Sequence, residues 1–254
     1  MNNFDITKEE AGKIFKEMII PQIVGTISPQ EIRQAFILGG QPGSGKSAFA
    51  REILKINKGM VFINGDDLRA YHPKYYFYLK ENDVEAADMT QAVCNFWIES
   101  LIEECIRQNL NFIIEGTMRK KEVPMKTASI LHNAGYVINL VVISTPYELS
   151  LLSLDRRYKE LKRLGQPARF TKKESHDEAY QNIENTLADL ISSQMFKRFF
   201  VYKRNLSGFE ENIFNAEQKE QILQSFKDGR TRIVEDKEKE LPFTDNNNLK
   251  ISTK

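Results

Sequence analysis

The chain has little of what would place it outside the cell or in a membrane. Its 254 residues include two cysteines, three histidines and one tryptophan, and 36 Lys+Arg almost balance 35 Asp+Glu, leaving a formal net charge of +1. Cys94 and Cys105 fall in one helical pattern about three turns, or roughly 16 Å, apart, too far to bridge each other. Such usage fits a reducing cytoplasm, the expected location, and no cysteine or histidine grouping has the spacing of a zinc site. A near-neutral balance argues against a surface committed to nucleic acid or to an anionic membrane. The first residues, MNNFDITKEE, lack a basic stretch followed by an apolar one. No run approaches the length of a membrane span, so neither export nor insertion is expected.

What is present is an alternation of short apolar runs with helical periodicity. Strands are expected at Gln34–Gly39, Met60–Asn64, Asn111–Glu115, Val137–Ser144 and Phe196–Lys203. Strands separated by helical stretches signal a parallel sheet covered on both faces. The clearest helix is expected over Asn82–Gln108, where Val93, Trp97, Leu101 and Cys105 recur every fourth residue, which places Trp97 in the core. A second helix, Pro146–Leu164, starts apolar and turns basic. Ile14, Met18 and Ile19 predict an N-terminal helix packed on the main domain. Residues 1–205 are read as one domain and 206–254 as a C-terminal extension, helical over Gln218–Lys227 and mobile over Asp236–Lys254, where charge and amides leave little to bury.

The segment Ile37–Ser47, ILGGQPGSGKS, places four glycines and a proline between an apolar run and a lysine. Gly40-Gln41-Pro42-Gly43-Ser44-Gly45-Lys46-Ser47 matches the G-x-x-x-x-G-K-[ST] pattern in its required setting, after a strand and opening a helix. In such a P-loop, glycines let successive N–H groups turn inward on phosphate oxygens, and the helix N-terminus adds partial positive charge. Lys46 is expected to reach the β- and γ-phosphates and the Ser47 hydroxyl to ligate Mg2+.

The second strand ends in Asn64-Gly65-Asp66-Asp67, at the edge where open α/β sheets bind ligands. A carboxylate there suits a base for an attacking hydroxyl, or a metal held through water. Asp66 is read as the functional acid and Asp67 as the cap of a short following helix. The third strand delivers Glu115, Thr117 and Arg119 to the same edge, and an arginine fork suits a diphosphate or carboxylate. The basic run Arg156–Arg163 and Arg169 beyond it could neutralise charge in phosphoryl transfer. His72, His132 and His176 are read as packing or surface residues.

Taken in order, GQPGSGKS, GDDLRAYHP, NFIIEGTMR, RRY and ARFTKKESHD resemble the zeta-toxin family of toxin–antitoxin kinases over about Phe4 to Asn205. The resemblance implies a P-loop kinase-like three-layer sandwich, an α/β fold with a mostly parallel five- to six-stranded sheet. It implies ATP-dependent phosphorylation of the 3′-hydroxyl of UDP-N-acetylglucosamine and a small helical antitoxin that covers the nucleotide site. It further implies Asp66 as base, Lys46 and Ser47 on phosphates and Mg2+, and Arg157 and Arg169 as clamps on the phosphoryl group. Glu99, Glu115, Thr117 and Arg119 would line the sugar-nucleotide pocket. Two departures stand out. Asn64 replaces a commonly acidic position, and Met118 is bulkier than a small residue beside the pocket. A kinase of another small molecule, or a nucleotide-driven switch without an acceptor, are the alternative readings.

Overall fold

The computed structural model describes residues 5–205 and 208–231, so the tail expected to be mobile, Asp236–Lys254, lies outside the described residues. The chain begins with α1 (Lys8–Ile14), a π-helical continuation (Phe15–Val24), β1 (Gln34–Gly39), α2 (Lys46–Ile56) and β2 (Met60–Ile63). Three short helices follow, α3 (Gly65–Arg69), α4 (Tyr75–Glu81) and α5 (Ala86–Met89), then α6 (Gln91–Arg107) and β3 (Asn111–Gly116). The second half runs α7 (Glu122–Asn133), β4 (Val137–Ser144), α8 (Tyr147–Arg163), α9 (Lys173–Ser192), β5 (Phe196–Asn205), β6 (Gly208–Phe214) and α10 (Lys219–Thr231).

The six strands form one sheet in the order β2-β3-β1-β4-β5-β6, parallel except for the antiparallel pair β5 and β6. Side chains alternate across it as strand geometry requires. Ala35, Ile37, Phe112, Ile114, Leu140 and Val142 join the larger core with residues of α6, α7, α9, α10 and the N-terminal segment. Leu38, Ile113, Val141, Ile143 and Tyr202 instead meet Phe49 and Ala50 of α2 on the other face. Both faces are therefore covered, giving the expected three-layer α/β sandwich. Trp97 is fully buried, and its indole N–H donates to the Ala11 carbonyl at 2.9 Å, tying α6 to α1.

Register fixes which loops meet. Gly39 lies opposite both Gly116 of β3 and Val142 of β4, Ile63 opposite Ile114, and Ser144 opposite Lys203. The residues at or just past these strand ends, Gly40, Asn64, Glu115, Thr145 and Arg204, consequently lie along one edge. The chain passes to β3 on one side of β1 and to β4 on the other, so β1 ends at the topological switch point, where open α/β sheets bind ligands.

Three elements differ from the sequence reading. The helix expected over Asn82–Gln108 is divided between α5 and α6 at Thr90, whose hydroxyl donates to the Ala86 carbonyl and accepts from Arg69. The N-terminal helix widens to π geometry over Phe15–Val24, a span that contains Pro21. Proline has no N–H to donate and crowds the carbonyl four residues back, which an ordinary helical turn accommodates poorly. Past Asn205 the chain continues in the same sheet as β6, and α10 buries Ile222 and Phe226 in the larger core.

Candidate active site

The glycine-rich loop joins β1 to α2, with Gly45 in left-handed conformation (φ 98°) at the N-cap and Lys46 as first helical residue. Gly43 also has positive φ (78°), and a Cβ there would meet the Ser150 carbonyl oxygen at 2.1 Å, so only glycine fits between the loop and α8. The loop is braced from behind. Gln41 Nε2 donates to the Thr145 carbonyl at 2.8 Å, and the Thr145 hydroxyl donates to the Ser44 carbonyl at 3.2 Å.

The Lys46 ammonium is buried and donates to the Gly40 and Gln41 carbonyls at 2.7 and 3.0 Å, 3.9 Å from Glu115 Oε1. Burial lowers its pKa, with the Glu115 carboxylate acting in the opposite sense. Glu115, at the end of β3, is raised by burial against the pull of Lys46. Its Oε2 accepts from the Ser47 hydroxyl at 2.9 Å and from Asn64 Nδ2 at 3.0 Å. Asn64 also settles the capping question. Its Oδ1 accepts the Asp66 N–H at 2.8 Å, making Asn64 the N-cap of α3, so the cap assigned to Asp67 from sequence is corrected. An amide can accept at the helix start and donate to a carboxylate at once, which an ionised acid cannot.

Asp66 stands on the first turn of α3 and accepts from Arg169 Nη2 at 2.9 Å, with Arg69 Nε 3.6 Å away. Burial acts to raise its pKa, but Arg169, Arg69 and Arg157 together outweigh it and hold the carboxyl below its ordinary value. Arg157, an exposed residue of α8, has its pKa lowered by desolvation within the cleft, with Asp66 opposing. Asp66, Arg157 and Arg169 all act electrostatically on Lys46. The acid and the two arginines expected to serve phosphoryl transfer thus gather around the phosphate loop.

The four residues expected at the sugar-nucleotide pocket are placed differently from one another. Glu115 belongs to the Lys46–Ser47 group. Thr117 is exposed just past β3. Arg119 is turned toward α9, 3.5 Å from Ser175 Oγ and 3.5 Å from Glu178 Oε2. Glu99 is exposed on α6 and accepts from Lys126 Nζ at 2.6 Å. Met118, beside them, has positive φ (52°) and is buried in the core, where its side chain fills the space a Cβ on Gly39 would need. It supports the base of the loop from within the core.

Two groups of residues went unread in the sequence. Arg69 is buried, with Nη1 donating to the Ala87 carbonyl at 2.6 Å and to Thr90 Oγ1 at 2.8 Å, and Nη2 to Gln91 at 2.6 Å. Its only advance signal was its place three residues after Asp66, one turn along a helix. His176, read as a packing residue, is buried at 2.8 Å from Ser150 Oγ and 3.2 Å from Asp177 Oδ1. Ser150 in turn lies 3.4 Å from Gln41 Nε2, so a polar chain runs from α9 to the phosphate loop.

This sheet order, with a phosphate loop closing its central parallel strand, is the architecture of P-loop kinases. Within that class the chain belongs to the zeta toxin family, whose model matches residues 23–219. It is 34% identical over 203 residues to Toxin PezT of Streptococcus pneumoniae serotype 4, covering 79% of this chain and 80% of that one. It is 32% identical over 173 residues to Toxin zeta of Streptococcus pyogenes, covering 67% of this chain and 60% of that longer one. Among solved structures, a chain from the PezAT chromosomal toxin–antitoxin system of S. pneumoniae matches with a TM-score of 0.72 at 27% identity, over 89% of this chain and 97% of that one. The AvrRxo1-ORF1:AvrRxo1-ORF2 structure shares the fold, with a TM-score of 0.60 at 13% identity over 92% of this chain and 77% of that one. Zeta toxins are kinase-like phosphotransferases.

Proposed function

We propose that the protein is an ATP-dependent toxin kinase that phosphorylates the 3′-hydroxyl of UDP-N-acetylglucosamine. The observation that carries this reading is the Asp66–Arg169 pair, 2.9 Å long, set with Arg157 around the phosphate loop. It supplies a proton acceptor and two positive charges where a γ-phosphoryl group held by Lys46 would be transferred. Backbone N–H groups of the loop between Gly43 and Ser47 and the Lys46 ammonium hold the polyphosphate. Asp66 accepts the proton of the sugar hydroxyl as that oxygen forms its bond to the γ-phosphorus. The bond to the β-phosphate oxygen breaks, ADP leaves, and Arg157 and Arg169 stabilise the charge on the transferring group. Thr117, Arg119 and Glu99 are proposed for the sugar-nucleotide, Arg119 by exchanging Glu178 for the diphosphate.

The residues present fit Mg2+. Ser47 Oγ and Glu115 Oε2, 2.9 Å apart, offer two hard oxygen donors beside the loop. Among the described residues no group of three or more His, Cys, Asp or Glu side chains could hold a metal. That suits an ion which keeps several waters and takes phosphate oxygens as ligands. When bound, Mg2+ would neutralise charge on the β- and γ-phosphates. Asn64, with both ends of its amide engaged, orients Glu115 and adds no ligand.

A small helical antitoxin occupying the nucleotide cleft is proposed as protein partner, supported by the likeness to the PezAT toxin–antitoxin system. Among the described residues no helix is long and apolar enough to cross a membrane, and action in the cytoplasm, where UDP-sugars are made, is part of the proposal. The test is incubation with ATP, Mg2+ and UDP-N-acetylglucosamine, followed by mass spectrometry. A phosphorylated sugar nucleotide is expected from the native protein and none from Asp66→Asn, whose ATP affinity stays within a few fold. ATP binding with no such product would overturn the proposed acceptor and favour another small molecule.

A further inference from the structure

Arg204, the penultimate residue of β5, lies 161 positions from Gly43 in sequence, yet its Nη1 donates to the Gly43 carbonyl at 2.6 Å. Its side chain runs alongside the end of the phosphate loop. A Cβ placed on Gly45 would stand 3.6 Å from both Arg204 Cδ and Nε, and 3.2 Å from the ring of Phe209, the β6 residue paired with Arg204. Phe209 packs edge-on against Phe49 of α2, with ring centroids 5.7 Å apart. The β5–β6 pair therefore forms a wall along the Gly43–Gly45 side of the loop.

Charge around Arg204 is unbalanced. The preceding residue, Lys203, points to the other face of the sheet and has Glu210 and Asp228 at 3.6 and 3.9 Å. Arg204 has no carboxylate within ion-pairing distance among the described residues. Burial lowers its pKa to about 10 with nothing opposing. A guanidinium in this setting sits beside the positive end of α2, an arrangement that the helix dipole disfavours. A desolvated cation without a counter-ion is costly, and an anion arriving at the loop removes that cost. The contacts of Arg204 are with the Gly43–Gly45 stretch, whereas Asp66 and Arg169 pair with each other beside Arg69 of α3.

We propose that Arg204 is a third arginine of the nucleotide site, binding the non-transferred phosphates of a nucleoside triphosphate from the Gly43–Gly45 side, with Phe209 closing that side against water. The assignment rests on the nucleotide-binding reading of the loop and adds to it a residue from outside every motif. Its guanidinium keeps one N–H on the Gly43 carbonyl and offers the others to phosphate oxygens. Because Arg204 meets no oxygen of the transferring γ-phosphoryl group, its loss should raise KM for ATP more than it lowers kcat.

The experiment compares the full chain with Arg204→Met and Arg204→Lys. Calorimetry with ATP, ADP and adenosine is combined with steady-state kinetics and the melting temperature without nucleotide. Arg204→Met is expected to weaken ATP and ADP about tenfold or more, to leave adenosine unchanged, and to raise KM for ATP with kcat within about threefold. Its nucleotide-free melting temperature should change little, since the half-buried guanidinium loses one hydrogen bond to Gly43 and an apolar chain of similar length takes its place. Arg204→Lys should keep part of the affinity through its charge. Undiminished ATP affinity in Arg204→Met overturns the assignment, as does a lowered melting temperature with equal loss for adenosine and ATP, which would make Arg204 a strut for Gly43. If the unsubstituted chain binds no ATP, the nucleotide reading of the loop falls, and this assignment with it.

Discussion

Asp66 is kept ionised by its neighbours and so enters any reaction as a ready proton acceptor. Three arginines outweigh the effect of burial on its carboxyl. A depressed folded pKa contributes stability that is present above the unfolded carboxylate value, about 3.9, and is lost as pH falls through the folded value. The acid limb of kcat/KM, which reports the free enzyme, should therefore lie in the acid range below the ordinary carboxylate value and not near neutrality. Arg169→Gln removes the 2.9 Å bond and one of the three charges. It is expected to move that limb upward while lowering kcat by about tenfold or more, read from pH–rate profiles of both proteins. The two cysteines behave oppositely. Burial raises Cys94 to about 11 and Cys105 to about 12, and neither is exposed. Thiolate is the reactive form, so neither should react with iodoacetamide at neutral pH in the native protein, while both react in denaturant. Peptide mass mapping after labelling checks this.

At the scale of elements, α9 stabilises the phosphate loop through a chain of polar groups. Burial lowers the pKa of His176, with Asp177 opposing, and the ring is neutral at pH 7. The imidazole spans Asp177 Oδ1 on its Nδ1 side and Ser150 Oγ on its Nε2 side, and the Ser150 hydroxyl also donates to the Tyr147 carbonyl at 2.8 Å. Gln41 approaches the same hydroxyl, Lys173 and Tyr147 also bond Asp177, and Tyr180 stacks near the imidazole. Lys173 and Lys46 disfavour a charged ring electrostatically. Because the folded pKa lies below the unfolded value of about 6.5, this group's contribution is full above that value and is lost as pH falls through the folded one. Urea titrations from pH 8 to 5 should show native stability falling more steeply than that of His176→Gln. His176→Ala, which removes a fully buried ring and its contacts to Ser150 and Asp177, should cost about 1–3 kcal/mol at pH 8 in the same titration.

Seen as a whole molecule, the sheet does not end where the family motifs do. β6 pairs along the length of β5 from Phe199 to Asn205, and α10 places Phe226 fully inside the larger core. A chain ended at Asn205 would expose the flank of β5 and leave a hole where Ile222 and Phe226 pack. Such a truncation is expected to lose cooperative unfolding, as followed by circular dichroism in urea. Phe226→Ala in the full chain should cost about 3–5 kcal/mol. β6 was hard to read because GFEENIF is short and charged, and as an edge strand it has no fully buried residue. β1 to β4 were legible because burial on both faces makes them largely apolar, and β5 because its apolar run Phe199–Tyr202 is framed by charge.

The sequence by itself determined what depends on neighbours along the chain: the five apolar strands, the basic end of α8, and the phosphate loop with Lys46 and Ser47. Glycines at fixed offsets after a strand constrain the backbone locally, so they can be read without knowing the fold. Only the tertiary structure decided which side chains face one another across strand ends. Asn64 and Ser47 reach Glu115 across 51 and 68 residues, Arg169 reaches Asp66 across 103, and Arg204 reaches Gly43 across 161. Those pairings follow from the order β2-β3-β1-β4-β5-β6 and its register. That order is set by burying both faces of the whole sheet at once, a condition that no local stretch of sequence contains.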